Sequence, residues 1–90
     1  MSNPDTLESE LERRKWGRRV IVHRNTKNDK EYTSEAIEER NLIDDGSPGI
    51  ITEIATGHGT CFRVWFWIKK DCMERGAWFD PDELEQIKKS

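Results

Sequence analysis

The chain has no long apolar run. The longest, residues 64–68, is five residues, whereas a helix needs about 20 to cross a bilayer. The amino terminus also lacks the basic, then apolar, then small-residue order of a secretory leader. A cytoplasmic location without membrane association is therefore expected. Cysteine is scarce, with only Cys61 and Cys72. Two cysteines without a leader read as reduced thiols, which excludes a disulfide-stapled fold. Histidine is equally scarce. A metal set can be assembled only as His23, His58, Cys61 and Cys72. That set contains one closely spaced pair, where a structural zinc site has two, so neither a metal nor a cofactor is expected. No nucleophile, base and orienting acid stand together, and His58 sits in a Gly-His-Gly turn, so the chain does not read as an enzyme. A small-molecule ligand is not expected either.

What is present is charge and tryptophan. Charged residues, 37% of the 90, outnumber hydrophobic ones at 33%, a balance near that of disordered chains. Four Trp and three Phe nevertheless concentrate apolar area into few positions. A single small domain follows, one that buries only about two-thirds of its unfolded surface. Its charge is unevenly placed. Residues 1–12 hold four acidic side chains and no basic one, whereas residues 13–30 hold eight basic side chains and one acidic. Such a block suits either an anionic partner or pairing with the chain's own carboxylates.

Local signals order the elements. Asn3 suits the cap of a helix beginning at Pro4, where the missing N–H costs nothing, and Asp5 and Glu8 suit its positive end. Leu7 and Leu11 share one face, and Gly17 is expected either to end this helix or to open the next element. Residues 18–23 alternate as a strand, with Val20 and Val22 on one side and Ile21 and His23 on the other. Residues 25–30 read as a polar turn, and Thr33 or Ser34 can cap a short helix over 35–41 that decorates a long loop. A Gly- and Pro-rich turn at 44–49 leads into a strand over 50–55. The glycines of residues 56–60 then support a tight hairpin into a strand over 61–68. The charged stretch 69–76 predicts a second hairpin into 77–80. Asp80 to Glu83 has the form of a capping box before one helical turn, which Leu84 pins to the core, and Ile87 is placed in a last strand.

Alternation assigns sides. Phe62, Val64 and Phe66 are expected inside, with Val20, Val22, Ile51, Ile54 and Leu84, which places Cys61, Arg63, Trp65 and Trp67 outside. Two indoles in water form a patch that soluble monomers rarely leave uncovered. The candidate covers are the first helix through Leu7 and Leu11, a second copy, or a foreign partner. Trp78 and Trp16 are candidates for the same patch, Trp78 because the second hairpin brings it beside residues 61–68.

Residues 17–22 (GRRVIV), 49–54 (GIITEI), 62–66 (FRVWF) and 78–85 (WFDPDELE) together resemble the Src-homology-3-like small barrels. The resemblance is in the wide structural sense, not that of the peptide-binding signalling family. It implies a mostly β fold: a small antiparallel barrel of about five strands over residues 17–88, with a helical turn before the last strand. Residues 1–16 remain as an amino-terminal helix or arm. The layout is similar to short barrels that serve as accessory docking subunits in electron-transfer assemblies and hold no cofactor themselves. A barrel-shaped reductase family is also similar in outline, but its Val-Gln-Ile-Tyr stretch is missing here. The expected function is a non-catalytic docking module, for a foreign partner or a second copy, that uses Trp65, Trp67, Trp78 and Arg63. The alternative is a barrel that binds RNA or single-stranded DNA, with Arg18, Arg19, Arg24 and Lys27 on phosphates and Trp16 stacking on bases.

Overall fold

The computed structural model describes residues 4–57, 59–68 and 72–87. Asn3, His58 and Lys69, each given a role above, lie outside the described residues. The first helix, α1, spans Pro4–Arg14. It ends earlier than Gly17: Lys15 takes a left-handed φ of 59°. The Lys15 N–H donates to the Glu12 carbonyl at 3.0 Å and the Trp16 N–H to the Leu11 carbonyl at 2.8 Å. This is a Schellman end, closed here by a residue for which the left-handed region is unfavourable. A helix of this length is marginal alone. Burial holds it, since Leu7 and Leu11, 2% and 3% exposed, join the same apolar cluster as Phe62, Val64 and Phe66.

Five antiparallel strands follow: β1 Arg19–Val22, β2 Pro48–Thr56, β3 Thr60–Ile68, β4 Met73–Phe79 and β5 Leu84–Gln86. They form one sheet in the order β4-β3-β2-β1-β5. Every residue expected in the core is buried, and Phe79, Ala77 and Ile43 join them. Phe66 and Phe79 meet edge to face, with ring centroids 6.0 Å apart. Ile51 and Ile54 are three residues apart and would face opposite sides of a regular strand. The register shifts between Ile51, opposite Val64, and Glu53, opposite Arg63. That bulge turns both isoleucines inward. Gly49 is a second local requirement. A Cβ added there would stand 2.5 Å from Val64 Cγ1 and 2.8 Å from the Trp65 carbonyl oxygen, so β2 crosses β3 at a point where no side chain fits.

The structure differs from the expected closed barrel. Among the described residues β4 and β5 are the two edges of an open sheet and do not pair. The physical reason lies in the long connection between β1 and β2. Its polar start is not a simple turn but a 3-10 segment, Thr26–Glu31, capped by the Asn25 side chain. Its helix, α2 (Ser34–Asn41, capped by Thr33), does not decorate the surface: it packs on β4 and carries a fully buried Arg40. Arg40 Nη1 donates to the Trp78 carbonyl of β4 at 2.7 Å, and Nη1 and Nη2 donate to Glu83 at 3.1 and 2.8 Å. A guanidinium thus bridges the two edges where strand pairing would close a barrel.

Glu83 closes the 3-10 turn Pro81–Glu83. Its carboxylate also accepts the Asn25 N–H at 2.8 Å and the Asp80 N–H at 3.0 Å, the latter being the expected reach back to the cap residue. Leu84 begins β5 directly after the turn, so Ile87 falls just beyond the last strand. β4 begins at Met73, earlier than expected, because an edge strand tolerates the charged Glu74 and Arg75. The junction between α1 and β1 is tied to β5 by Gln86, whose Oε1 accepts the Gly17 N–H at 2.6 Å while Nε2 donates to the Gly17 carbonyl at 3.2 Å.

Candidate functional site

The outer wall of the sheet is set by the register of its strands. Ile50 of β2 lies opposite Trp65 of β3, which lies opposite Gly76 of β4; one step along, Trp67 faces Glu74, and one step back, Arg63 faces Trp78. Since residues of one parity share a face, Arg63, Trp65, Trp67 and Trp78 stand together. Trp67 is 50% exposed and Ile50 40% exposed, while Trp65 and Trp78 are half-buried. The Arg63 side chain lies across Gly76, so that a Cβ there would meet Nη2 at 2.7 Å. Its Nε is 3.8 Å from Glu53 Oε2. The wall is therefore a flat run of indole and isoleucine with one arginine folded into it.

The first helix does not cover this wall. Leu7 and Leu11 close the inner side instead, and Trp16 follows them: its ring centroid is 5.6 Å from that of Phe62, with the Arg14 guanidinium 5.2 Å above it. Trp16 is thus separated from the outer indoles. The direction of α1 decides this, because its two leucines supply apolar area that the small core lacks.

The basic set expected on phosphates is dispersed. Arg18 pairs with Glu8 and donates to the Ile51 carbonyl at 3.3 Å. Arg24 pairs with Asp29 at 2.7 Å, and its backbone N–H donates to Asp45 at 2.8 Å. Arg13 and Arg14 share Glu10, and their hydrogen bonds hold its carboxyl below the usual carboxylate range. Arg19, opposite Ile50, and Lys27, in the 3-10 segment, are exposed with no ion pair among the described residues. The internal-pairing alternative thus accounts for Arg18 and Arg24, and the acidic amino terminus serves partly as their counter-charge.

A cleft of about 700 Å³ opens at the other end of the β2–β3 hairpin, lined by Glu31, Tyr32, Thr56, Cys61, Asp80 and Asp82 among others. Tyr32 Oη donates to Asp80 Oδ1 at 2.6 Å. Burial and that carboxylate together push the tyrosine pKa far above its ordinary value. Burial, and then the Asp80 charge, also push the Cys61 thiol up, which keeps it protonated and weakly nucleophilic near neutral pH. Asp80, Asp82 and Glu83 place carboxylate oxygens within 4.8 Å of one another. Each is already engaged: Asp80 with Tyr32, Asp82 with the Asn28 amide at 3.1 Å, and Glu83 with Arg40. Of the residues considered as a metal set, His58 lies outside the described residues. Cys61 and Cys72 lie at opposite ends of the β3–β4 hairpin, and His23 pairs with Glu85.

Sequence reasoning missed the Arg40 cluster. Arg40 also donates from Nε to Asp29 Oδ1 at 3.1 Å, and its guanidinium lies 4.2 Å from the Tyr32 ring centroid and 4.9 Å from that of Phe79. Burial alone would raise the Asp29 pKa, but hydrogen bonds from Arg24 and Arg40 outweigh it and leave the group below its ordinary value. The only available signal was the excess of charged over apolar residues in so short a chain. No helix among the described residues is long and apolar enough to cross a membrane. No family model, curated protein or solved structure matches this chain.

Proposed function

We propose that this protein is a non-catalytic docking module whose contact surface is the outer wall, with Trp65, Trp67 and Trp78 as apolar anchors and Arg63 among them. One observation carries the reading. Ile50 and Trp67 remain 40% and 50% exposed beside two half-buried indoles, although the chain has an amphipathic helix that closes the inner side instead. Trp and Arg dominate the energetics of protein interfaces, and a contiguous exposed apolar patch marks one. The strand order, with a 3-10 turn before the last strand, supports kinship with the Src-homology-3-like barrels, here in an open form. A cytoplasmic location belongs to the same proposal.

Nucleic-acid binding through the basic segment draws less support, because Arg18 and Arg24 hold carboxylates and Trp16 packs on Phe62. A photoreactive phenylalanine analogue introduced separately at positions 67, 27 and 38 separates the two readings in the cell that makes the protein. Protein adducts from position 67, above the level from the exposed position 38 on α2, are expected. Nucleic-acid adducts from position 27, with none above background from 67, would replace this reading with the alternative.

A further inference from the structure

The outer wall has a property that an interface for an arbitrary protein does not need. Across the β3–β4 pair, every indole stands opposite something that is not an indole: Trp65 opposite Gly76, Trp67 opposite Glu74, and Trp78 opposite Arg63. Large and small, aromatic and charged, therefore alternate between two neighbouring strands. From this register we infer that the occupant of the wall is a second copy of this chain, related by a twofold axis running between β3 and β4 and parallel to them. The inference rests on the docking role of the wall and names its partner.

A twofold rotation about that axis exchanges the two strands. Trp65 of one copy then lies over Gly76 of the other, the one position in the row without a side chain. It also meets the Arg63 guanidinium, which is folded across that glycine. Trp78 lies over the stem of Arg63 of the second copy, and Trp67 lies beside Glu74. Each copy makes each contact, as a self-complementary surface requires. An arginine held flat beside two incoming indoles suits cation–π contact. Sheets stacked face to face with their strands roughly aligned leave about 10 Å between backbones, enough for one interdigitated layer.

Charge points the same way. Where β3 and β4 of the two copies overlap, the described residues of the wall carry Arg63 against Glu74. The two signs are equal in number there, although the chain as a whole is at −3. A strongly acidic or basic partner gains little from such a surface, whereas a copy of the same surface matches it. The glycine at 76 has no backbone reason to be there: its φ lies outside the left-handed region, and a β-branched residue suits an edge strand better. Its reason is the slot in which the Arg63 guanidinium lies, the surface that Trp65 of the second copy meets.

Sedimentation equilibrium of the full chain from about 10 μM to 1 mM tests the inference. The mass is expected to rise from 10.6 kDa to twice that value. Gly76→Val fills the slot and should weaken association at least tenfold while leaving the thermal midpoint of the monomer nearly unchanged. Trp67→Ala should do the same from the other side of the axis, so the test survives if either variant folds poorly. A chain that stays monomeric throughout, or a dimer indifferent to both substitutions, overturns the inference. A monomer that still crosslinks to a foreign protein from position 67 would end self-association alone, whereas a monomer with no adduct from that position would end the docking role as well.

Discussion

The two faces of β3 are built from similar amounts of apolar area, yet they are held in different ways. Inside, Phe62, Val64 and Phe66 are sealed by α1 and by residues of β1, β2 and β4. Outside, Trp65 and Trp67 alternate with them in sequence and remain half-buried and exposed. The difference teaches that burial here is assigned by shape as well as hydrophobicity. Phenyl and aliphatic groups fill a space narrowed by the close approach of β2 at Gly49, while the larger indoles are left on the wall. The ends of the sheet show a further contrast, because the gap that apolar packing does not close is held by a buried ion pair.

The largest expected effect breaks the inner side where it meets that ion pair. Arg40→Ala leaves the buried Glu83 carboxylate without its cation and the Trp78 carbonyl without its donor, and should cost about 3–5 kcal/mol in urea denaturation. Arg40→Met with Glu83→Leu should recover much of the loss, as an apolar replacement of similar volume often does. Next comes a matched pair of glycines. Gly49→Ala forces a Cβ into Val64 and the Trp65 carbonyl and should cost about 1–3 kcal/mol. Gly76→Ala on the outer wall meets only the movable end of Arg63 and should change stability by less than about 0.5 kcal/mol. Equal losses at the two sites would erase the distinction between the faces.

Acid should weaken the Arg40 cluster in a defined direction. The Asp29 pKa is lower folded than unfolded, so its contribution is in place above its ordinary carboxylate value and is lost as pH falls through the lowered one. Urea midpoints measured from pH 7 down to pH 2 should fall, and Asp29→Asn should flatten that fall while lowering the midpoint at pH 7. The last effect is a gain. Lys15→Gly relieves a left-handed lysine at the end of α1 and should raise stability by up to about 1 kcal/mol. A loss would mean that the lysine side chain contributes more than its backbone conformation costs.

The inner face was legible because period-two alternation in residues 61–68 places Phe62, Val64 and Phe66 together, and the same pattern placed Trp65 and Trp67 opposite them. The inward placement of both Ile51 and Ile54 follows from their hydrophobicity, while the bulge that permits it has no local signature. The end of α1 at Lys15 has no local signature, because the chain uses a lysine where glycine is the usual choice. The capping-box role of Glu83 was legible, but nothing in the sequence marks Arg40 as its buried partner. The two are 43 residues apart in the sequence, and no periodicity links a helix in a long connection to a turn before the last strand. The dispersal of Arg18 and Arg24 was likewise hidden, because their partners Glu8 and Asp29 are brought to them by the docking of α1 and by the 3-10 segment.

The hydrogen bond from Arg40 to the Trp78 carbonyl has a consequence for the behaviour of the protein in crowded solution. An open sheet invites runaway polymers by strand addition at its margins. One margin here is only three residues long, and the other has an acceptor already claimed by a guanidinium from its own chain. Loss of Arg40 would free that acceptor as a template for fibre growth, so turbidity should accompany the loss of stability expected of Arg40→Ala.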